Sequence, residues 1–323
     1  MKPLNFLFLL SVGWACSQVQ AARITLSEYK RILFLGDSIT HAGHYVSYIE
    51  TWLRQNERCL PELIQIGLPS ETCTGLSEPE HPWPRPNVHE RLRRALRKTD
   101  PDLVFACYGM NDGIYHPFSP ERFATFQQGL EKLIDEVDRH GAKLILLTPP
   151  PFDPMKLRGT PKLRPAGAAT YAWSAIYEDY DEVVKSYSQH VLLKERDKRV
   201  LAAVDLHTAV TEALAKERKT VPEFSFHPDG VHLNAEGHKV MAAAILRKCQ
   251  ITEFLEDLDG QLYKRVHERQ CLLHYSWLSH VGHKRPGIKA GIALPEAQKQ
   301  AKVLEVRIQD IINSLVDKSK GRP

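Results

Sequence analysis

Arg31-Ile32-Leu33-Phe34-Leu35-Gly36-Asp37-Ser38 decides the fold, because a short apolar run ends abruptly on a glycine, an acid and a serine. Beyond it, Tyr45, Ile49, Trp52 and Leu53 recur at the spacing of one helix face, so the segment reads as strand, turn, helix. The unit repeats along the chain. Leu63-Ile64-Gln65-Ile66 runs into Gly67, a helix pattern covers 88–97, and Asp102-Leu103-Val104-Phe105-Ala106-Cys107 meets Tyr108-Gly109. A helix over 120–140 leads to a strand at 143–148, a helix over 177–195 to a strand at 200–204, and a last core helix spans 235–248. Such alternation predicts an α/β domain with a parallel sheet covered on both faces. Ligands then bind beyond the carboxyl ends of the strands, where Ser38, Ser70, Asn111 and the turn at 148–154 fall.

Composition sets the outer bounds. The chain has 323 residues, 43% apolar and 25% charged, with a formal net charge of +4, which is ordinary for a folded enzyme-sized protein. The basic run Arg91, Arg93, Arg94, Arg97 and Lys98 reads as the solvated face of a helix; it has no aromatic stacking platform, so no nucleic-acid partner is expected. Lys2, the apolar run 4–10 and the small residues around Ala21 read as a signal peptide (1–21), too short for a comfortable span. The expectation is a secreted or periplasmic protein without stable membrane insertion.

The expected organisation is that leader, a hydrolase domain over 22–250 and a helical C-terminal extension over 251–323. In the extension, helix-compatible stretches at 254–278 and 295–316 flank Gly282-His283-Lys284-Arg285-Pro286-Gly287, and Leu255, Leu258, Leu262 and Val266 suit packing, a lid or self-association. Beyond the leader, Cys59, Cys73, Cys107, Cys249 and Cys271 are odd in number; Cys59 and Cys73, flanking one strand, are the best candidate pair. The cysteine spacings match no zinc pattern, and His41, His44, His81, His227, His267, His274, His280 and His283 form no compact ligand set. No metal or cofactor is expected.

The chemistry lies in three polar turns. Ser38 sits where a strand meets a helix, whose first amides support developing negative charge. His227-Pro228-Asp229-Gly230-Val231-His232 supplies a base with a carboxylate beside it, and Asn111 offers a neutral amide at a strand end. Taken singly, each has a plain alternative: Ser38 as a helix cap, and Asn111 and Asp229 as turn residues.

Together, Gly36-Asp37-Ser38-Ile39-Thr40, Gly109-Met110-Asn111-Asp112 and Asp229-Gly230-Val231-His232 stand in the order of the blocks of SGNH, or GDSL-like, hydrolases, and the chain resembles that family over about 31–238. The resemblance implies a flavodoxin-like three-layer α/β/α sandwich, with Ser38 as nucleophile and Asp229 and His232 completing a triad. It also implies an oxyanion hole from the Ser38 amide, the Asn111 side chain and one more backbone amide. The family glycine at that last position is replaced by Ser70 in Gly67-Leu68-Pro69-Ser70-Glu71-Thr72, with Gly67 the alternative. The implied activity is hydrolysis of carboxylic esters, with short acyl groups such as acetyl on carbohydrates favoured. The alternatives are lipid or lysophospholipid esters, or a non-catalytic glycan- or protein-binding module on the same scaffold. Trp83, Tyr115, Phe152, Tyr171 and Trp173 are candidates to stack on a sugar or to pack loops. The sequence does not fix an oligomeric state.

Overall fold

The computed structural model describes residues 24–251 and 257–320. The proposed leader and Leu255 lie outside the described residues. The strands are β1 (Arg31–Gly36), β2 (Glu62–Gln65), β3 (Leu103–Cys107), β4 (Lys143–Leu147), the short β5 (Leu163–Arg164) and β6 (Ile176–Tyr177), and β7 (Ala202–Val204). Ile32, Leu33, Phe34 and Leu35 are all 0% exposed. Successive strand side chains point to opposite faces, so burial of all four means both faces are covered.

The main sheet has the order β2-β1-β3-β4-β7 with every neighbouring pair parallel. This is the flavodoxin-like order, and its direction of winding reverses between β1 and β3. The turns after those two strands carry Ser38 and Asn111.

Helices α1 (Ser38–Ala42) and α2 (His44–Asn56) follow β1, α3 (Val88–Thr99) follows β2, and α4 (Pro120–His140) joins β3 to β4. They are followed by α5 (Tyr180–Leu193), α6 (Leu206–Arg218), α7 (Ala235–Lys248), α8 (Gly260–Val281) and α9 (Leu294–Lys320). Helices α2, α7 and α6 pack in succession, as do α3, α4 and α5, giving a layer on each side of the sheet. Local signals set their ends. Ser119 caps α4 through the Arg122 amide with Pro120 in the first turn, and the Asn234 side chain accepts the Gly237 amide at the start of α7.

The extension packs as part of the same body. Leu273, Trp277, Leu278, Val281, Leu294 and Ala297 join the main core, while Leu262 and Val266 of α8 meet Ile308 of α9 in a second apolar cluster. Glu50 and Arg54 of α2 pair with each other at 2.7 Å, and Arg269 of α8 pairs with both Glu50 and Glu305 of α9. Strand β2 is a sheet edge, and α8 closes it: Gln270 Nε2 donates to the Leu63 carbonyl at 3.3 Å, and His274 Nδ1 meets the Gln65 carbonyl at 3.0 Å. Between this extension and the domain lies a histidine-rich seam. His274 Nε2 and His41 Nδ1 are 2.9 Å apart, and His44 stacks on His267 at 4.3 Å. Burial, then the neighbouring imidazoles, holds His238 and His274 down to about 3. Among the described residues no group of three or more His, Cys, Asp or Glu side chains is arranged to hold a metal ion.

Four expectations change. The cysteines at 59, 73, 107, 249 and 271 carry free thiols. Cys59 is exposed ahead of β2, whereas Cys73 is buried past its far end with its amide on Asp112, so the strand between them holds the two at opposite ends of the sheet. The basic run on α3 is not simply solvated. Arg91 is buried against Glu71, Arg94 donates to the Val281 and Gly282 carbonyls, and Lys98 donates to the His280 carbonyl at the end of α8. Helix α6 and the pair β5 and β6 were not anticipated. Phe152 and Tyr171 are buried, Phe152 edge-on to Tyr180 and Tyr171 bonded to the Pro165 carbonyl, so neither is a free stacking surface.

Candidate active site

The turn from β1 into α1 places Ser38 in the first turn of that helix, with Asp37 as cap accepting the Ile39 amide at 2.9 Å. From the loop before α7, His232 Nε2 reaches Ser38 Oγ at 2.8 Å, and His232 Nδ1 meets Asp229 Oδ2 at 2.7 Å. Asp229 Oδ1 also accepts the amides of Val231 at 3.0 Å and His232 at 2.8 Å, so one carboxylate fixes both the loop and the ring. Gly230 makes the bend at φ +87, and a side chain there would also meet Phe152 and Leu157 at 2.8 Å.

Electrostatics follow from this geometry. Burial pushes the His232 imidazole down, but the hydrogen bond to Asp229, the charge of Asp229 and that of Asp37 outweigh it, leaving the ring raised above its ordinary 6.5. Burial likewise pushes Asp229 up, and the His232 ring with the two amides outweighs it, so Asp229 ends well below the carboxylate range.

Asn111 lies beneath the serine, 3% exposed. Its Oδ1 accepts from Arg85 Nη1 at 3.0 Å and from the Tyr115 hydroxyl at 2.9 Å, which orients the amide. Its Nδ2 faces Asp37 Oδ2 at 3.2 Å and the Glu71 carbonyl at 3.3 Å. Arg85 is itself clamped by Glu78 through two 2.7 Å bonds, and the same Glu78 carboxylate accepts the Trp173 amide at 3.1 Å, tying two loops together. Below, Arg91 and the Tyr108 hydroxyl both bind Glu71, while Asp112 accepts the amides of Cys73, Thr74 and Gly109. Burial raises Asp37 to about 7 and Asp112 to about 6, against the hydrogen bonds that oppose it.

Ser70 lines the same cavity and adopts φ +67, the left-handed region that disfavours any side chain. That backbone explains why a glycine suits the position. Among the described residues its amide has no hydrogen-bond partner, and its Oγ lies 3.2 Å from His81 Nε2. Gly67 is not on the cavity wall. It packs against α1, where a Cβ would lie 2.3 Å from the His41 amide.

The cavity has a volume of about 320 Å³, and Ser38, Ser70, Asn111, Asp229 and His232 all line it. Trp83, Tyr115 and Trp173 do so as well, Tyr115 buried with its hydroxyl on Asn111 and Trp173 49% exposed. Sequence reasoning missed Arg85, Lys162 and Arg285. Arg285 comes from the loop between α8 and α9, far along the chain from the rest of the site.

Residues 34–240 match the GDSL-like Lipase/Acylhydrolase family. No curated protein matches the chain in sequence. Among solved structures, the acetylxylan esterase Axe2 of Geobacillus stearothermophilus is similar at TM-score 0.50 and 21% identity, covering 68% of this chain and 94% of that one. A tryptophan-to-isoleucine variant of that esterase gives TM-score 0.51 and 20% identity, covering 69% of this chain and 96% of that one. The gut microbial diltiazem-metabolizing enzyme BT4096 gives TM-score 0.49 and 16% identity over 68% of this chain; the match spans about half of that protein, 47%. At these identities the two Axe2 structures speak to the fold alone, which is the one built here from the sheet order. The family match covers most of that sheet and every one of the polar turns. By that family match the chain belongs to the GDSL-like lipase/acylhydrolase family and is a carboxylic ester hydrolase.

Proposed function

We propose that Ser38, His232 and Asp229 act as nucleophile, general base and orienting acid in hydrolysis of short-acyl esters, acetyl esters of carbohydrates above all. The observation that carries this is the unbroken chain from Ser38 Oγ through His232 to Asp229, with both links at 2.8 Å or less. Ser38 Oγ attacks the ester carbonyl as its proton passes to His232 Nε2. The imidazolium, steadied by Asp229 at Nδ1, then protonates the departing alkoxide. Water repeats the sequence on the acyl-serine and releases the acid.

The oxyanion is received by the amides of Ser38 and Ser70 and by Asn111 Nδ2, each such donor contributing about 3 to 4 kcal/mol in comparable sites. The two present contacts of Asn111 Nδ2, at 3.2 and 3.3 Å, are long for N–H···O bonds, so the amide can share a hydrogen with an arriving oxyanion. Tyr115 and Arg85 hold its other end in place.

A cavity of about 320 Å³ walled by Trp83, Trp173, His81, Arg85 and Lys162 suits one acylated sugar better than a long alkyl chain. The N-terminal pattern supports export, which the mass of the mature protein tests. The test of function is initial rates on p-nitrophenyl esters from acetate to decanoate beside acetylated saccharides, with Ser38→Ala as control. Ser38-dependent rates falling with chain length are expected. A rise with chain length would favour lipid esters, and unchanged turnover in Ser38→Ala would overturn the nucleophile.

A further inference from the structure

The cavity wall carries several charges, and most of them are matched. Asp229 is met by His232, and Arg85 by Glu78. His81 is held below its ordinary value, first by burial and then by the charge of Arg85. Arg285 and Lys162 remain. Among the described residues neither makes an ion pair with a carboxylate, although both line the cavity.

Arg285 is held as a built feature rather than a loose surface cation. Its guanidinium lies 4.5 Å from the centre of the Trp83 ring, and its Nε donates to the Pro69 carbonyl at 3.3 Å, one residue before Ser70. Stacking fixes the plane of the group, Nη1 donates to the Pro286 carbonyl, and Nη2 has no hydrogen-bond partner among the described residues. The side chain is partly buried, and burial depresses its basicity. A cation desolvated without a counter-ion is unfavourable alone, and it becomes favourable when a ligand supplies the anion.

We propose that Arg285, with Lys162, forms an anion subsite, so that the preferred esters carry a carboxylate or sulfate on the sugar that bears the acyl group. Trp83 serves as the platform for Arg285, and Trp173, 49% exposed on the cavity wall, supplies the flat surface for that sugar. Arg285 lies outside the family-matched residues 34–240, so this recognition belongs to the C-terminal extension. The inference deepens the esterase reading and rests on the cavity being the ester site.

The test reads binding, which needs no turnover. Calorimetry on the full-length Ser38→Ala protein compares an acetylated methyl glucuronoside, a sulfated acetylated methyl glucoside and the neutral acetylated methyl glucoside. At least one anionic ligand is expected to bind about tenfold or more tightly than the neutral one, with the gain shrinking as salt rises. Whichever anion gains more identifies the group recognised. Arg285→Gln should erase most of the preference, Lys162→Gln about a threefold part of it, and Arg285→Lys should retain some. Equal affinity for all three ligands, no binding of any, or a preference that survives Arg285→Gln combined with Lys162→Gln would overturn the subsite. Failure of the wild type to hydrolyse these esters while the anion preference persists would instead overturn the proposed action on acetylated sugars alone.

Discussion

On the solvent side of Ser38, His232 and Asp229 leave 46% and 42% of their side chains exposed; on the sheet side, Asp37, Glu71, Asn111 and Asp112 are each exposed by 3% or less. Both sets are hydrogen-bonded throughout, but they suit different tasks. An exposed ring can exchange its proton with solvent and substrate, whereas a buried network with its hydrogen bonds made holds geometry. Under the proposed mechanism, proton transfer falls to one side and placement of the oxyanion donor to the other.

The comparison breaks most sharply at His232. His232→Ala should cost roughly 10⁴-fold or more in kcat while leaving the thermal midpoint nearly unchanged, because an exposed loop side chain contributes little to the core. Steady-state rates beside a melting curve check both halves. A large fall in the midpoint would mean that the exposed side also carries structure.

Asp229→Asn sharpens the same side. Protonated His232 cannot accept the Ser38 proton, so kcat/KM should rise with pH through the histidine's value, above 6.5 in the wild type. Replacing the carboxylate removes the charge of Asp229 and its charge-assisted hydrogen bond and leaves only Asp37 to oppose burial, so the acid limb should move to lower pH while the plateau falls by about 10³-fold or more. A pH–rate profile of both proteins decides it, and an unmoved limb would show that Asp229 does not set the imidazole.

On the sheet side the expected signature is reversed. Arg91→Met strands the Glu71 carboxylate, which is 0% exposed, and should destabilise the fold by about 3 to 5 kcal/mol in urea denaturation. Activity per folded molecule should change much less. The smallest effect is expected at Ser70→Ala, which keeps the backbone donor and should leave kcat within about threefold, against the 10²-fold or greater loss typical of a lost oxyanion donor. A loss of that larger size in Ser70→Ala would shift the role from the amide to the hydroxyl.

Much of this was legible in the chain, for identifiable reasons. Strands β1, β3 and β4 are built on apolar runs, and the turns after β1 and β3 and before α7 carry Ser38, Asn111, Asp229 and His232, whose joint order matches the family's blocks. The order of the strands came from resemblance, because periodicity says nothing about which strand lies beside which. Helix α6 was missed although Leu206, Val210 and Leu214 recur every four residues behind a capping Asp205. Arg91 was misread because charge was weighed before phase: it lies three residues after Val88 and four before Ala95, on the buried side of α3. Arg285 meets the Pro69 carbonyl across 216 positions of chain, a contact that no local pattern encodes.

Helix α8 has a further consequence, for the solution behaviour of the protein. The carbonyls of Leu63 and Gln65 point away from β1, and Gln270 and His274 occupy them. An uncovered parallel edge of Leu63, Ile64 and Gln65 would be a template for another chain's strand. The two side chains thus act as a stopper against self-assembly, and one of them is an imidazole that burial keeps neutral. Loosening α8 would therefore show as turbidity and strand-like aggregates, together with loss of Arg285 from the cavity wall.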